Sequence, residues 1–142
     1  MPKYKLHTNH KKLLADTYTP VGIYLKLRDK FPNSILLESS DYHGSENSFS
    51  FICCQPIASI KVENHTIIEL FPDDTSAKTL INESVSVPEA IKSFTEKFEV
   101  EQSKLKFITN GLFGYTSYDA VKYFEDVSIN AKKKEEKEIP EL

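Results

Sequence analysis

Two β-rich runs that are separated by only two residues constrain the folding of this chain more than any other feature. Residues 57–63 and 66–71 are rich in Ile, Val, Thr and Phe, which are types enriched in strands. Asn64 and His65 stand between the two runs. A spacing this short favours a tight turn. The sequence therefore predicts an antiparallel β-hairpin.

Two further strands are predicted upstream of this hairpin. Residues 34–38 are short, apolar and bounded by polar residues, as in a buried strand. In residues 48–54, the side chains of Phe49, Phe51 and Cys53 alternate with those of the residues between them, and an alternation of period two is typical of a strand. Residues 39–47 are polar, and we expect them to form an exposed loop.

Two helices are predicted from their start signals. Thr19 followed by Pro20 matches an N-cap with proline in the first turn, and apolar residues recur at near-helical spacing up to Phe31. Asn33, which follows Pro32, is expected to end this first helix.

The second helix carries a capping-box pattern. Ser86 stands three residues before Glu89, the spacing at which the two side chains cap one helix start. Ala90, Ile91, Phe94 and Phe98 then line one face of an amphipathic helix.

The other segments carry weaker patterns. Residues 72–86 are polar and turn-rich, and residues 106–109 and 111–117 are interpreted as extended. Gly111 and Gly114 are two of only four glycines, and their clustering suggests a close backbone approach or a positive φ. Residues 119–124 could begin a helix, with Tyr118 and Asp119 at its start.

These elements predict an α+β fold of antiparallel β-sheets with a few packed helices. The length of 142 residues leaves room for a single compact unit. Residues 127–142 are interpreted as a charged connector, because KKKEEKE at 132–138 is of low complexity. The apolar residues that follow it begin an element with no continuation, so the chain is expected to be a truncated domain, cut in mid-domain from a larger protein.

Composition excludes several classes of function. Lys and Arg number 18 against 21 Asp and Glu, which gives a formal charge of −3 and no electrostatic reason to bind nucleic acid or an anionic membrane. No apolar run approaches the roughly 20 residues of a membrane span, and residues 1–10 lack the apolar core of a signal peptide. A cytoplasmic location is therefore expected. Cys53 and Cys54 are adjacent, and both are predicted to be reduced.

Candidate catalytic groups are few. Ser39, Asp41 and His43 nominally supply a nucleophile, an acid and a base, but residues so close in sequence rarely form a triad, so an exposed loop is the better interpretation. The histidines show no metal-ligand spacing, and residues 111–114 match no phosphate-binding motif. The residues alone thus predict an α+β domain without an active site.

Two motif blocks carry a resemblance to a known family. Residues 36–40 (LLESS), Ser50 eleven residues after Ser39, and residues 111–125 (GLFGYTSYDAVKYFE, hereafter the 111–125 block) resemble the N-terminal region of anthranilate synthase component I. The order and spacing of the blocks agree, as does the opening Thr19-Pro20. The resemblance extends from about position 20 to about position 126, which is most of the chain.

The resemblance implies a chemistry that takes place elsewhere in a longer polypeptide. Component I converts chorismate and ammonia to anthranilate and pyruvate with magnesium, and a glutamine amidotransferase partner, component II, supplies the ammonia. The family's catalytic and metal-binding residues lie in a C-terminal chorismate-binding domain. Residues 1–142 therefore correspond to an N-terminal regulatory domain that is not an enzyme by itself.

The LLES segment of the family belongs to the feedback site for tryptophan. By resemblance, Glu38 and Ser39 hold the polar end of the amino acid, Leu37 precedes them, and Pro20 and Ser50 line the same pocket. A carboxylate can pair with an ammonium group, and a hydroxyl can donate to a carboxylate. Spacing alone leaves open the alternative that Ser39 caps a strand end and Glu38 is merely solvated.

Two alternatives to this function remain at this point. Aminodeoxychorismate synthase component I, an enzyme of the folate pathway, shares weaker versions of both blocks. From a different class, the chain could be a free-standing module that binds an amino acid or another protein.

Overall fold

The computed structural model describes residues 3–38, 49–101 and 110–125. Within them the chain forms seven strands, two α-helices and one 3₁₀ helix. The strands are β1 (Tyr4–Leu6), β2 (Ile35–Glu38), β3 (Ser50–Cys53), β4 (Ser59–Glu63), β5 (Thr66–Leu70), β6 (Ser76–Leu80) and β7 (Phe98–Val100). The helices are α1 (Pro20–Leu27), α2 (Val87–Thr95) and the 3₁₀ helix Tyr118–Tyr123.

The chain divides into two compact units, whereas length alone predicts one. Positions 1–8 and 57–142 contribute to the first unit, and positions 9–56 form the second. We call the described residues of the first the core unit and those of the second the inserted unit. The predicted α+β class with antiparallel sheets is confirmed.

An antiparallel sheet of three strands, in the order β4-β5-β6, organises the core unit. Glu63 pairs with Thr66 across the first turn, so that Asn64 and His65 form a two-residue connection. Both connecting residues have positive φ, 49° and 56°. That backbone matches the type I′ turn that follows the twist of a hairpin. The predicted hairpin is confirmed.

The interpretation of residues 72–86 as a turn-rich segment was wrong, because it contains β6. Thr66 pairs with Leu80 and Leu70 with Ser76, which makes β6 the third strand of the sheet. Four of the five β6 residues are exposed. An exposed edge strand can be polar, so its sequence lacks the apolar alternation that marks a half-buried strand.

Helix α2 begins as its capping box predicts. The Ser86 hydroxyl accepts a hydrogen bond from the Glu89 backbone N–H at 3.4 Å and donates one to the Glu89 carboxylate at 3.0 Å. The helix ends at Thr95, so Phe98 lies in β7 and not on the helix as predicted. Val87 and Phe94 of α2 are fully buried, and Val87 belongs to the core cluster that includes the paired residues Val62 and Ile67.

Four aromatic rings connect α2, the sheet and the short strands β1 and β7. Tyr4 stacks on Phe71 and Phe98 with ring centroids 5.7 Å and 5.4 Å apart. Phe94 lies 5.6 Å from Phe71 and 5.4 Å from Phe98. Strand β1 pairs with β7 in parallel, a pairing that the sequence analysis did not predict. Burial of these rings fixes β1 against a strand that is distant in sequence.

A charged cluster anchors the start of β1. The Asp73 carboxylate accepts hydrogen bonds from the Thr75 hydroxyl, from Lys3 Nζ at 2.9 Å and from the Tyr4 hydroxyl at 3.0 Å. The bond from the Thr75 hydroxyl and then that from Lys3 hold the pKa of Asp73 well below its ordinary value. Hydrogen bonding to Tyr4 and Asp73 raises the pKa of Lys3.

The inserted unit contains α1 and the antiparallel pair β2-β3. The Thr19 hydroxyl caps α1 by accepting from the Gly22 backbone N–H at 3.0 Å, as predicted. The helix ends at Leu27, before the predicted stop, and Asn33 takes a positive φ of 64° in the following turn. Both predicted strands are confirmed, while the predicted loop at 39–47 lies outside the described residues.

The 111–125 block contains the 3₁₀ helix, where a helix start was predicted. No strand is present at 111–117, and the predicted extended residues 106–109 lie outside the described part of the chain. A Cβ added at Gly114 would meet open space, and no described glycine has a positive φ. The predicted reason for a glycine at position 114 was therefore wrong. None of the described helices has the length and apolar character that crossing a membrane requires.

Candidate functional site

The end of the β2-β3 pair brings two predicted site residues together. Glu38 is the last residue of β2 and Ser50 the first of β3, and the antiparallel register places them directly opposite each other. Directly opposed residues in such a pair have Cβ atoms about 5 Å apart and lie on one face. Both residues are exposed. A carboxylate and a hydroxyl are thus presented side by side.

Strand alternation divides the predicted site between two faces of the pair. Leu36 is opposite Ile52 and Leu37 is opposite Phe51. Because successive side chains of a strand point to opposite faces, Leu36 and Ile52 share the face of Glu38, whereas Leu37 lies on the other. Ser39, the remaining predicted residue of this segment, lies outside the described residues.

Pro20 occupies the exposed first position of α1 in the same unit. The helix contacts both β2 and β3, and the Tyr24 hydroxyl donates to the Ser34 backbone oxygen at 3.2 Å. Proline suits this position because its φ is already helical and its missing N–H would have no partner within the helix. Pro20 therefore belongs to the element that packs on the strands carrying Glu38 and Ser50.

Two aromatic side chains flank Ser50 in sequence. Phe49 and Phe51 have ring centroids 6.5 Å apart, and Phe49 is 42% exposed. Neither was predicted as a site residue, although their spacing around Ser50 is visible in the sequence. Because Phe51 is opposite Leu37, it lies on the face of the strand pair away from Glu38 and Ser50.

The adjacent cysteines are both free, as predicted. Cys53 ends β3, and its partial burial, together with the nearby Cys54, raises the pKa of its thiol. A raised pKa keeps the sulfur as the less reactive thiol at neutral pH.

The sequence offered one nominal catalytic set and no metal-ligand spacing. The nominal set Ser39, Asp41 and His43 lies outside the described residues. Residues 3–38, 49–101 and 110–125 contain no group of three His, Cys, Asp or Glu side chains that could hold a metal ion.

An open pocket of about 430 Å³ lies along the 111–125 block of the core unit. Its lining comprises Thr116, Ser117, Tyr118, Ala120, Val121, Phe124 and Glu125. Ser117 precedes the 3₁₀ helix but its hydroxyl does not cap it, and this Oγ is buried without a hydrogen-bond partner. The lining residues belong to the core unit, whereas Glu38 and Ser50 belong to the inserted unit.

The described chain is thus an α+β protein that presents an opposed carboxylate and hydroxyl at the end of an antiparallel strand pair. Its sequence is similar to that of anthranilate synthase component 1 from Aquifex aeolicus, with 31% identity over 125 residues, which are 87% of this chain and 24% of the relative. The protein of the same name from Pseudomonas putida is 33% identical over 114 residues, 79% of this chain and 22% of its own length. That from Lactococcus lactis is 28% identical over 124 residues, covering 86% of this chain and 25% of the relative.

These similarities confirm the predicted resemblance to anthranilate synthase component I over most of the chain. The chain spans about a quarter of the length of the curated relatives it matches. No family model matches the sequence, and no solved structure matches the fold.

Proposed function

We propose that this chain is the tryptophan-sensing, N-terminal part of an anthranilate synthase component I. The full-length enzyme would convert chorismate and ammonia to anthranilate and pyruvate in tryptophan biosynthesis. The support is the similarity to relatives that bear this name, together with the match to about a quarter of their length. In this proposal the catalytic residues belong to the rest of the polypeptide, and residues 1–142 have no activity alone.

The observation that carries the proposal is the pairing of Glu38 with Ser50. An α-amino acid carries an ammonium group and a carboxylate on one carbon. Glu38 can accept hydrogen bonds from the ammonium group, and the Ser50 hydroxyl can donate one to the carboxylate. Leu36 and Ile52, which share the face of Glu38 and Ser50, can contact the indole ring of the amino acid.

Inhibition follows if tryptophan binds two arrangements of the full-length enzyme with different affinity. An effector shifts an equilibrium only by its differential affinity for the two states. We propose that bound tryptophan favours an arrangement that turns over chorismate poorly. Glu38 and Ser50 then affect inhibition and leave uninhibited turnover near normal.

The remaining components of the reaction are assigned to the full-length complex. A glutamine amidotransferase, component II, would supply ammonia. The reaction would also use magnesium, and the described residues do not fit that ion, because they contain no cluster of three suitable ligands. We therefore assign magnesium binding to the rest of the full-length polypeptide.

The test measures anthranilate fluorescence in the full-length protein with increasing tryptophan. Glu38→Ala, Ser50→Ala and Ser39→Ala are expected to raise the inhibitory concentration of tryptophan, by about tenfold or more for the charged residue, since hydrogen bonds to charged groups contribute about 1.5–3 kcal/mol. Glu83→Ala, which removes an exposed carboxylate from the core unit, is the matched control and should leave inhibition unchanged.

Three outcomes would contradict the proposal. Unchanged tryptophan sensitivity in both Glu38→Ala and Ser50→Ala would remove the sensing role. Formation of aminodeoxychorismate in place of anthranilate would assign the protein to the folate pathway. Tight tryptophan binding by residues 1–142 alone in calorimetry would contradict our expectation that the isolated chain binds tryptophan poorly, because in this proposal the other wall of the pocket belongs to the catalytic domain.

A further inference from the structure

Asn110 directly precedes Gly111, the first residue of the 111–125 block. Asn110 is half-buried and Gly111 is exposed, and both lie outside any helix or strand. Asn110 Nδ2 donates a hydrogen bond of 2.7 Å to the Thr8 hydroxyl. Both partners belong to the core unit, so this bond connects its N-terminal segment to the 111–125 block.

We propose that Asn110-Gly111 is a site of spontaneous deamidation, and that the hydrogen bond to Thr8 controls its rate. The step requires the backbone nitrogen of Gly111 to approach Cγ of Asn110. Glycine has no Cβ to obstruct this approach and allows the backbone conformations that it needs. The hydrogen bond opposes the reaction because it holds the side-chain amide toward Thr8, and the side chain must rotate away before attack.

The chemistry needs only water. A bond forms between the Gly111 nitrogen and Asn110 Cγ, the bond from Cγ to Nδ2 breaks, and ammonia leaves with the proton that the backbone amide loses. The resulting cyclic imide is hydrolysed at either carbonyl. One opening gives aspartate, and the other gives isoaspartate, in which the main chain runs through the side-chain carbon.

Either product changes the start of the 111–125 block. A neutral amide that donates hydrogen bonds becomes a carboxylate that only accepts them, so the bond to Thr8 in its present direction is lost. The isoaspartyl product also lengthens the main chain by one methylene group. Deamidation would thus alter the connection between the N-terminal segment and the block, independently of the proposed tryptophan site.

Two other asparagines of the core unit provide internal comparisons. Asn64 is followed by His65 in the tight turn of the hairpin. Asn82 is followed by Glu83, and its Oδ1 accepts hydrogen bonds from the Ser84 backbone N–H and hydroxyl at 2.9 Å and 2.7 Å. In both cases a side chain on the following residue hinders attack by the backbone nitrogen.

The experiment incubates the full chain in mildly alkaline buffer and follows each asparagine by peptide mass spectrometry, with enzymatic detection of isoaspartate. Asn110 should convert faster than Asn64 and Asn82 in the same sample. Gly111→Ala should slow conversion at position 110. Thr8→Val should accelerate it by about two- to tenfold, the factor that corresponds to one ordinary hydrogen bond, whereas Thr8→Ser retains the hydroxyl and should react at the original rate.

The ratio of the rates at Asn110 and Asn64 separates a local effect from partial unfolding, because unfolding would accelerate both. Conversion of Asn64 or Asn82 at a rate equal to that of Asn110 would overturn the proposed site. An unchanged ratio in Thr8→Val would overturn the control by Thr8. Both results are independent of tryptophan inhibition.

Discussion

The core unit and the inserted unit contain the same kinds of element, but they differ in how much apolar surface they bury. The fully buried apolar residues, Val62, Ile67, Val87, Phe94 and Ala120, all belong to the core unit. No described residue of the inserted unit is fully buried, and Leu14 is 86% exposed. The residues proposed to bind tryptophan therefore lie in the unit with the smaller core.

This difference in buried apolar surface implies that the two units differ in stability. Burial of apolar surface contributes roughly 25 cal/mol per Å², and an isolated two-stranded sheet is at best marginally stable in water. The core unit has a three-stranded sheet, the β1-β7 pair, a packed helix and an aromatic cluster. We therefore expect the core unit to dominate cooperative unfolding and the inserted unit to open at lower free energy.

The largest expected effect comes from truncating a buried ring. Phe94 is 1% exposed and contacts two other rings, so Phe94→Ala should lower the free energy of unfolding by about 3–5 kcal/mol. Phe49→Ala removes the same ring from the inserted unit, where it is 42% exposed, and should cost less than about 1 kcal/mol. Urea unfolding followed by circular dichroism measures both. Equal losses would contradict the contrast between the units.

A smaller effect is expected from the two helix caps. Ser86→Ala and Thr19→Ala each remove a side chain that caps a helix, which typically costs about 1 kcal/mol. For Ser86 the loss should lower the urea midpoint. For Thr19 it should accelerate amide exchange in α1 by about fivefold and leave the midpoint unchanged.

Ser93→Ala is the control for these caps, because it makes the same chemical change at an exposed position within α2. It should leave stability equal or slightly higher, since alanine is the better helix former. A lower urea midpoint in Thr19→Ala would show that the two units unfold together.

The smallest expected effect is on the stability of the core unit at acid pH. The pKa of Asp73 is lowered in the folded chain by the Thr75 hydroxyl and then by Lys3. Asp73 therefore stabilises the folded chain at pH values above about 4, the ordinary pKa of an aspartate. This stabilisation is lost as the pH falls below that value. Asp73→Asn should reduce the loss of core-unit stability between neutral pH and about pH 3, as measured by urea midpoints.

Asp74→Asn is the matched control for this charge. Asp74 lies in the same turn with a positive φ of 59°, and asparagine tolerates that conformation. This variant should retain the original acid dependence. If Asp73→Asn also retained the full acid dependence of the urea midpoint, the Asp73 cluster at the start of β1 would have no role in stability at acid pH.

The features that the sequence predicted correctly depend on local chemistry. The β4-β5 hairpin follows from Asn64 and His65, whose positive φ values suit a tight turn. Both helix starts follow from capping side chains three residues from their targets, Thr19 to Gly22 and Ser86 to Glu89. Such signals need no knowledge of distant contacts.

The missed elements depend on distant contacts or on solvent. Strands β1 and β7 have three residues each, and they pair where rings far apart in sequence stack together. Strand β6 is largely exposed and lacks apolar alternation. The first helix ends at Leu27 although the apolar spacing continues to Phe31, so spacing alone does not locate a helix end.

The candidate site was partly accessible from sequence. The resemblance indicated Glu38 and Ser50, but their direct opposition depends on a register that the sequence analysis did not assign. The alternation of β2 separates Leu37 from Glu38 and was available from the predicted strand. Phe49 was visible as a neighbour of Ser50, whereas its exposure requires the fold.

The pairing of β1 with β7 has a consequence for biosynthesis. Strand β1 is translated before its partner β7, which follows only after the whole of positions 9–56 and the three-stranded sheet. Strand β1 must therefore remain without its partner until Phe98–Val100 have been made. Because closing a longer loop costs only about 0.6 kcal/mol for each doubling of its length, homologous proteins could lengthen the intervening segment at little thermodynamic cost.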